Sequence, residues 1–381
     1  MTDDIPRSDQ IPGAPHPRDT VELIAQTDAE AAFLQAFTSS RLHHGWLLMG
    51  PQGVGKATLA YRIARFLLAT PDQEDDGLFG APPPPTSLDI PEDHPVNARV
   101  LAGSEPGLRV ITRTINEKTG KLRDEIVVDN IRKLAEFFHL SAADGGRRVV
   151  IVDAADELNV SAANALLKML EEPPEATTLL LLAHQPSRLL PTIRSRCRTL
   201  RLSPLAPDQM STALSQAGAD ADAITSTALS ELSGGSVGSA LRLLNLSGLE
   251  IYAEVIALLG TMPRLDRLRA LKLADAAAQR GAEEKLDLLL VMIDTALARL
   301  ARTGATGVAA PEAAPDEAAI FARLAPSPWA ARQWADAAAK VSARMRHARS
   351  VNLDPAALVL DTLIKLNDVA STATTQPAMP A

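Results

Sequence analysis

Apolar and polar positions alternate along the first half of this chain with two periods, and the change from one to the other marks the elements. From Asp28 to about Ser40 apolar residues recur at helical spacing, and Trp46-Leu47-Leu48-Met49 is a short continuous apolar run of the buried-strand type. A helix is predicted from Ala57 to about Leu68. Strand-like segments follow at Leu108 to Thr114 and Ile126 to Val128, separated by a turn at Asn116 to Gly120, and Asp129 is placed to N-cap a helix reaching His139. Val149-Val150-Ile151-Val152 is a fully apolar run that ends in Asp153. Ser161 can cap a helix from Ala162 to Glu172, which Pro173-Pro174 stops. Thr178 to His184 and Thr199 to Leu202 complete the strands. Apolar strands alternating with amphipathic helices predict a parallel sheet covered on both faces.

After Pro204 the strand signal is gone. Helices are predicted at Asp208–Ala217, Ala221–Leu232 and Val237–Leu244, with Gly234-Gly235 before the third. A further helical block spans about 249–370 and is interrupted by the Ala/Gly/Pro stretch Gly304 to Pro315. Within it Leu286, Leu290, Ile293, Leu297 and Leu300 form one stripe, with Asp287 and Asp294 on another face. Ser327-Pro328 and Asp354-Pro355 have the form of an N-cap followed by proline at the first helical position. Two stretches fall outside these patterns. Residues 1–18 hold four prolines and little apolar content, which predicts a mobile leader, and 71–107 hold eight prolines among acidic residues, which predicts a partly disordered surface insertion.

Composition narrows the classes. Among 381 residues, 38 basic and 46 acidic side chains leave a net charge of −8, which argues against holding nucleic acid by bulk electrostatics. Aromatics make up 3% against 46% hydrophobic residues, a balance that favours packed helices over β-sandwiches. A single cysteine, Cys197, permits neither an internal disulfide nor a four-cysteine zinc site. The acidic start Met1-Thr2-Asp3-Asp4 lacks the order of a secretory signal, and no apolar run approaches the ~18 residues of a membrane span. A cytoplasmic protein without membrane contact is expected.

Gly50-Pro51-Gln52-Gly53-Val54-Gly55-Lys56 lies between the first strand and the helix after it, the order a phosphate-binding loop requires. Gly50, Gly53 and Gly55 let backbone N–H groups approach phosphate oxygens and Lys56 supplies charge. Ala57 stands where the magnesium-ligating Ser or Thr belongs, and Thr58 is rotated from that position by about 100° around the helix. Asp153, at the end of its apolar strand, is placed to hold magnesium, but Ala154 follows it where an ATPase has a glutamate to polarise water. A glycine turn without ligand and a buried strand with a surface aspartate are the plainer alternatives.

The P-loop, the run Asp153-Ala-Ala-Asp156-Glu157-Leu158-Asn159, the run Asn164-Ala-Leu-Leu-Lys168-Met-Leu-Glu-Glu172-Pro-Pro174 and the triplet Ser195-Arg196-Cys197 together resemble AAA+ clamp-loader subunits. The resemblance covers about residues 20–245 strongly. It implies an α/β AAA+ P-loop domain at 19–204, with the insertion at 71–107, then an all-α lid at 205–247, an all-α collar at 248–371 and a tail at 372–381. It casts Arg196, flanked by Ser195 and Cys197, as an arginine finger for ATP on a neighbouring subunit, and Arg242 as the sensor-2 arginine for the chain's own ATP or ADP. His184 falls at the sensor-1 position, where Thr or Asn is usual. The four-cysteine zinc module common in the family is replaced by the proline-rich insertion. The implied partners are ATPase subunits and a delta subunit in a hetero-pentamer, with the sliding clamp and primed DNA reached through the complex. Ala57 and Ala154 predict no ATPase activity of the chain itself; the alternatives are an active AAA+ ATPase, of the loader or of DNA repair, and a scaffold that binds no nucleotide.

Overall fold

A computed structural model describes residues 7–11, 14–20, 22–39, 42–70, 84–140, 146–351 and 353–373. The chain divides into two compact units, the first comprising 1–218 with 236–238 and the second 219–235 with 239–381.

The first unit is built on α1 (Thr27–Thr38), β1 (Gly45–Met49), α2 (Lys56–Ala69), α3 (Pro95–Leu101), β2 (Leu108–Ile111), α4 (Val128–Leu140), β3 (Arg148–Val152), α5 (Val160–Glu171), β4 (Thr177–Ala183), α6 (Pro191–Ser195), β5 (Arg198–Arg201) and α7 (Pro207–Gln216). The five strands form one sheet in the order β2-β3-β4-β1-β5, every pairing parallel. Side chains alternate across it as the pleat requires. Trp46, Leu48, Val149, Ile151, Leu180 and Leu182 face a core shared with α1 and α2, where Phe33 meets Trp46 at 4.9 Å and Phe37 meets Phe66 at 4.8 Å between ring centroids. Leu47, Val150, Val152, Leu179 and Leu181 face the opposite core with Ile131, Leu166 and Ile193. All seven residues of β4 are buried, as expected of a central parallel strand with helices on both sides.

Two cap assignments shift. Asp129 lies inside the first turn of α4, paired with Arg132 at 3.1 Å, rather than at its N-cap. The N-cap of α5 is Asn159, whose Oδ1 accepts from the Ala162 N–H at 2.9 Å; Ser161 is already helical. Both residues satisfy the cap preference, and the position of the preceding chain decides between them.

The prediction that 71–107 is a partly disordered surface insertion needs correction where residues 88–100 dock on the core; 71–83 lie outside the described residues. His94 caps α3, Pro95 takes its first position, and Val96 and Val100 enter the α2 core with Leu88, each at most 3% exposed. Asp89 ties the segment to α2 through Arg62 at 2.9 Å. Three well-spaced apolar residues suffice to dock a segment whose average composition is polar. Leu88→Ala is therefore expected to cost about 2–5 kcal/mol, read as a lowered denaturant midpoint; an unchanged midpoint would return the segment to a surface role.

The predicted mobile leader needs the same correction in its described residues. His16 is 3% exposed, its ring lies edge-on to Tyr61 at 5.9 Å and its Nε2 is 3.1 Å from an Asp9 carboxylate oxygen.

Among the described residues the second unit is all-helical: α8 (Ala223–Ser233), α9 (Val237–Asn245), α10 (Gly248–Thr261), α11 (Arg267–Ala277), α12 (Glu283–Thr306), α13 (Glu317–Leu324), α14 (Pro328–Ser350) and α15 (Pro355–Ala373), with α9 joining it from Ser239 onward. The stripe Leu286, Leu290, Ile293, Leu297 and Leu300 is buried on α12, which packs on α10 and α14, while α15 packs on α11 and α14. Ser327 and Asp354 cap α14 and α15 by accepting from Ala330 and Ala357 N–H groups. Among the described residues no single helix is long and apolar enough to cross a membrane.

Candidate functional site

The glycine loop connects β1 to α2 at the C-terminal edge of the sheet, where open parallel sheets bind ligands. Gly53 at φ 76° and Gly55 at φ 100° adopt left-handed backbone that only glycine enters freely. α2 starts without a side-chain cap and without an acidic residue in its first turn, so its positive N-terminal end is left for an anion. Lys56 is 3% exposed and its Nζ donates to the carbonyls of Gly50 at 2.7 Å and Pro51 at 2.5 Å. Burial draws its ammonium down to about 8, against the pull of Asp153 and Asp156. These groups suit a polyphosphate: they supply N–H donors and one buried cation.

They do not make a complete magnesium site. Asp153, half-buried beyond β3, is pushed up to about 7 by desolvation and by the nearby acids Asp9, Glu157 and Asp156, with Lys56 opposing. Ala57 and the buried Ala154 offer neither a second ligand nor a base. The two acids just downstream are committed elsewhere. Asp156 accepts the N–H groups of His184 at 3.1 Å and Gln185 at 2.8 Å, tying the end of β4 to the β3 loop, and Glu157 pairs with Arg113 at 2.8 Å. His184 is pushed down to about 4 by burial and by the Lys56 charge, so it is neutral at pH 7, and its Nδ1 is buried without a hydrogen-bond partner.

Gln26 is a residue the sequence pattern hides. It occupies the N-cap position of α1 without capping it. Its Nε2 donates instead to the carbonyls of Val54 at 3.2 Å and Ser203 at 2.8 Å, and its Oε1 accepts from the Ser203 N–H at 3.1 Å. This buried amide clamps the glycine loop to the segment leaving β5. Ser236 adds a second tie, its Oγ donating to Gln52 O at 2.7 Å, and a Cβ at Gly53 would lie 2.5 Å from that Oγ. A polar residue ahead of a helix reads as a cap; only its distant partners reveal the clamp.

Arg196 directly follows α6 as its C-cap, just before β5, its side chain 38% exposed. It pairs with Glu171 at 2.9 Å and donates to Thr192 O at 3.2 Å, while Ser195 Oγ donates to the same carbonyl at 3.1 Å. Exposed pairs of this kind contribute only about 0–1 kcal/mol, so the guanidinium can exchange partners. The basic neighbours divide: Arg198 lies over the Trp46 ring at 5.4 Å, and Arg194 is exposed. Burial pushes the Cys197 thiol up to about 12. At pH 8 only about one molecule in ten thousand would carry the thiolate, so Cys197 is expected to resist a thiol reagent until the protein unfolds. Stoichiometric labelling of the native chain within minutes would contradict this. Arg242 is an exposed residue of α9 and belongs to the second unit.

A five-stranded parallel sheet with a glycine loop between its first strand and the following helix, and an acid just beyond β3, defines an α/β domain of the P-loop class. Residues 25–206 match the family described as DNA polymerase III, delta subunit. The DNA polymerase III subunit delta' of Pseudomonas aeruginosa is 41% identical over 154 residues, 40% of this chain and 41% of its own length. That of Escherichia coli K12 is 34% identical over 209 residues, 55% of this chain and 56% of its own. The matched region thus spans roughly half the length of these relatives or less. A solved structure of a DNA polymerase III gamma-subunit-related protein from Thermotoga maritima aligns over 89% of this chain and 99% of its own, at 17% identity and a TM-score of 0.35.

Proposed function

We propose that the chain is a delta-prime-type subunit of the DNA polymerase III clamp loader, a cytoplasmic AAA+ module that assembles with ATPase subunits and a delta subunit rather than working alone. The observation that carries this reading is the match of residues 25–206 to delta-type subunits in a chain whose P-loop is followed by Ala57 and whose β3 acid is followed by Ala154. ATP or ADP would lie on the glycine loop with Lys56 against its phosphates, serving as a structural ligand. Arg196 would act on the partner's nucleotide. The sliding clamp and primed DNA would be engaged by the assembled complex.

Mixing the chain with a gamma/tau-type ATPase subunit and a delta subunit should give one co-eluting complex on gel filtration, and separate elution would overturn the proposal. The isolated chain is expected to release phosphate from ATP at background rate, with Lys56→Ala making no difference. Turnover abolished by Lys56→Ala would favour the alternative of an active ATPase.

A further inference from the structure

At the opposite pole of the sheet from the glycine loop, the N-terminal ends of β2 and β3 open onto a cleft of about 470 Å³. That size lies within the range of pockets that hold small ligands. Arg109, Lys133, Arg147 and Arg148 line it, against the carboxylates of Glu105 and Glu136. The carboxylates do not cancel these positive charges. Glu105 is already paired with Arg99 at 2.7 Å and accepts the Gly107 N–H at 3.1 Å, so its charge is spent outside the cleft. Arg147 is also engaged, lying over the Phe37 ring at 5.4 Å.

The other cations are not. Among the described residues neither Arg109 nor Lys133 makes a side-chain ion pair, and Arg148 Nε is shielded from solvent without a hydrogen-bond partner. A shielded guanidinium N–H left without an acceptor is costly unless a ligand supplies one. In a chain of net charge −8, this local concentration of arginine and lysine without ion pairs suits an anion. Leu68, Pro106 and Phe137 form an apolar wall beside the charges. A lone carboxylate would use the arginines and leave that wall bare. A nucleotide would use both, since its phosphate fits the guanidinium forks and its base has a flat apolar face.

We propose that this cleft binds a 5′-phosphorylated nucleotide unit, either free or at the end of a single strand, with Arg109 and Arg148 on the phosphate. The site is separate from the glycine loop, so it stands or falls independently of the proposed clamp-loader role.

The test uses the full chain in calorimetric titrations at low salt with inorganic phosphate, dAMP, a thymidine hexanucleotide with and without a 5′-phosphate, and hexaglutamate. Each probe is also run on Lys56→Ala, which isolates any contribution of the glycine loop. Binding of dAMP or of the phosphorylated hexanucleotide that survives Lys56→Ala and weakens about tenfold in Arg109→Gln and in Arg148→Gln is the expected result. Arg132→Gln, on the same helix as Lys133 but outside the cleft, should leave it unchanged. Binding of dAMP as tight as that of the hexanucleotide identifies a free nucleotide as the source, and binding of the phosphorylated hexanucleotide alone identifies a strand end. The proposal is overturned by absence of binding, by binding lost only in Lys56→Ala, by binding unaltered in Arg109→Gln, or by hexaglutamate binding as well as the phosphorylated probes. Arg109 is exposed on an edge strand, so its variant remains informative if Arg148→Gln fails to fold.

Discussion

Arg299→Leu is expected to destabilise the helical unit by about 3–5 kcal/mol, which for a unit of this size corresponds to a fall of roughly 6–20 °C in its unfolding midpoint. Arg299 sits on α12 with its side chain 6% exposed and meets Glu317, 2% exposed, through Nε at 2.7 Å. Its other nitrogens donate to Glu231 at 2.8 Å and to Pro311 O at 2.6 Å. Glu317 also accepts from Tyr252 Oη at 2.6 Å and from the Ala313 N–H at 2.7 Å. Burial alone would lower the Arg299 guanidinium, but its bonds to Glu317 outweigh it and hold the group above its ordinary range. Removing the arginine leaves a carboxylate buried with only neutral donors, the costly half of a broken pair. Arg299→Leu combined with Glu317→Leu should lose less than the two single variants together, because neither residue then leaves an unmatched charge. Strict additivity in chemical denaturation would mean that the two side chains are not coupled.

That network marks the limit of what the sequence discloses. Arg299 directly precedes Leu300, the last residue of an apolar stripe legible from Leu286 onward, so a charged residue there reads as part of the solvated face. Its partners Glu317 and Glu231 come from 18 and 68 positions away, and no local period encodes them. The P-loop unit was far more legible. β1, the glycine loop and α2 follow from one apolar run, three glycines and one helical pattern, each local in sequence. The strand runs at 149–152 and 178–183 were equally plain because both faces of a central parallel strand are buried. What escaped was contact-dependent. Gln26 gives no sign that it clamps Val54 and Ser203, and the docking of Leu88, Val96 and Val100 is obscured by the prolines and acids around them. Arg109 and Arg148 look ordinary along the chain and acquire meaning only because β2 and β3 pair in parallel.

Arg196→Ala is expected to leave the fold and the assembled complex intact while lowering ATP turnover by the neighbouring ATPase subunit by at least tenfold and slowing clamp loading. Arginine fingers contribute roughly 10³–10⁵ to such reactions, so the tenfold loss is that of the one neighbouring site, and total phosphate release falls by at least that site's share. The position of Arg196 suits a finger, because α6 ends at Ser195, β5 begins at Arg198, and among the described residues the side chain between them is held by an exposed pair with Glu171 and one carbonyl bond. Little free energy is therefore lost when the guanidinium turns to a phosphate. Arg196→Lys should restore little, because an ammonium keeps the charge but not the planar fork that engages two phosphate oxygens together. Phosphate release from a reconstituted loader with clamp and primed DNA measures the effect, and gel filtration of the same samples reports assembly. Full turnover with Arg196→Ala would make this arginine a surface charge paired with Glu171, and loss of the complex would make its role one of subunit contact.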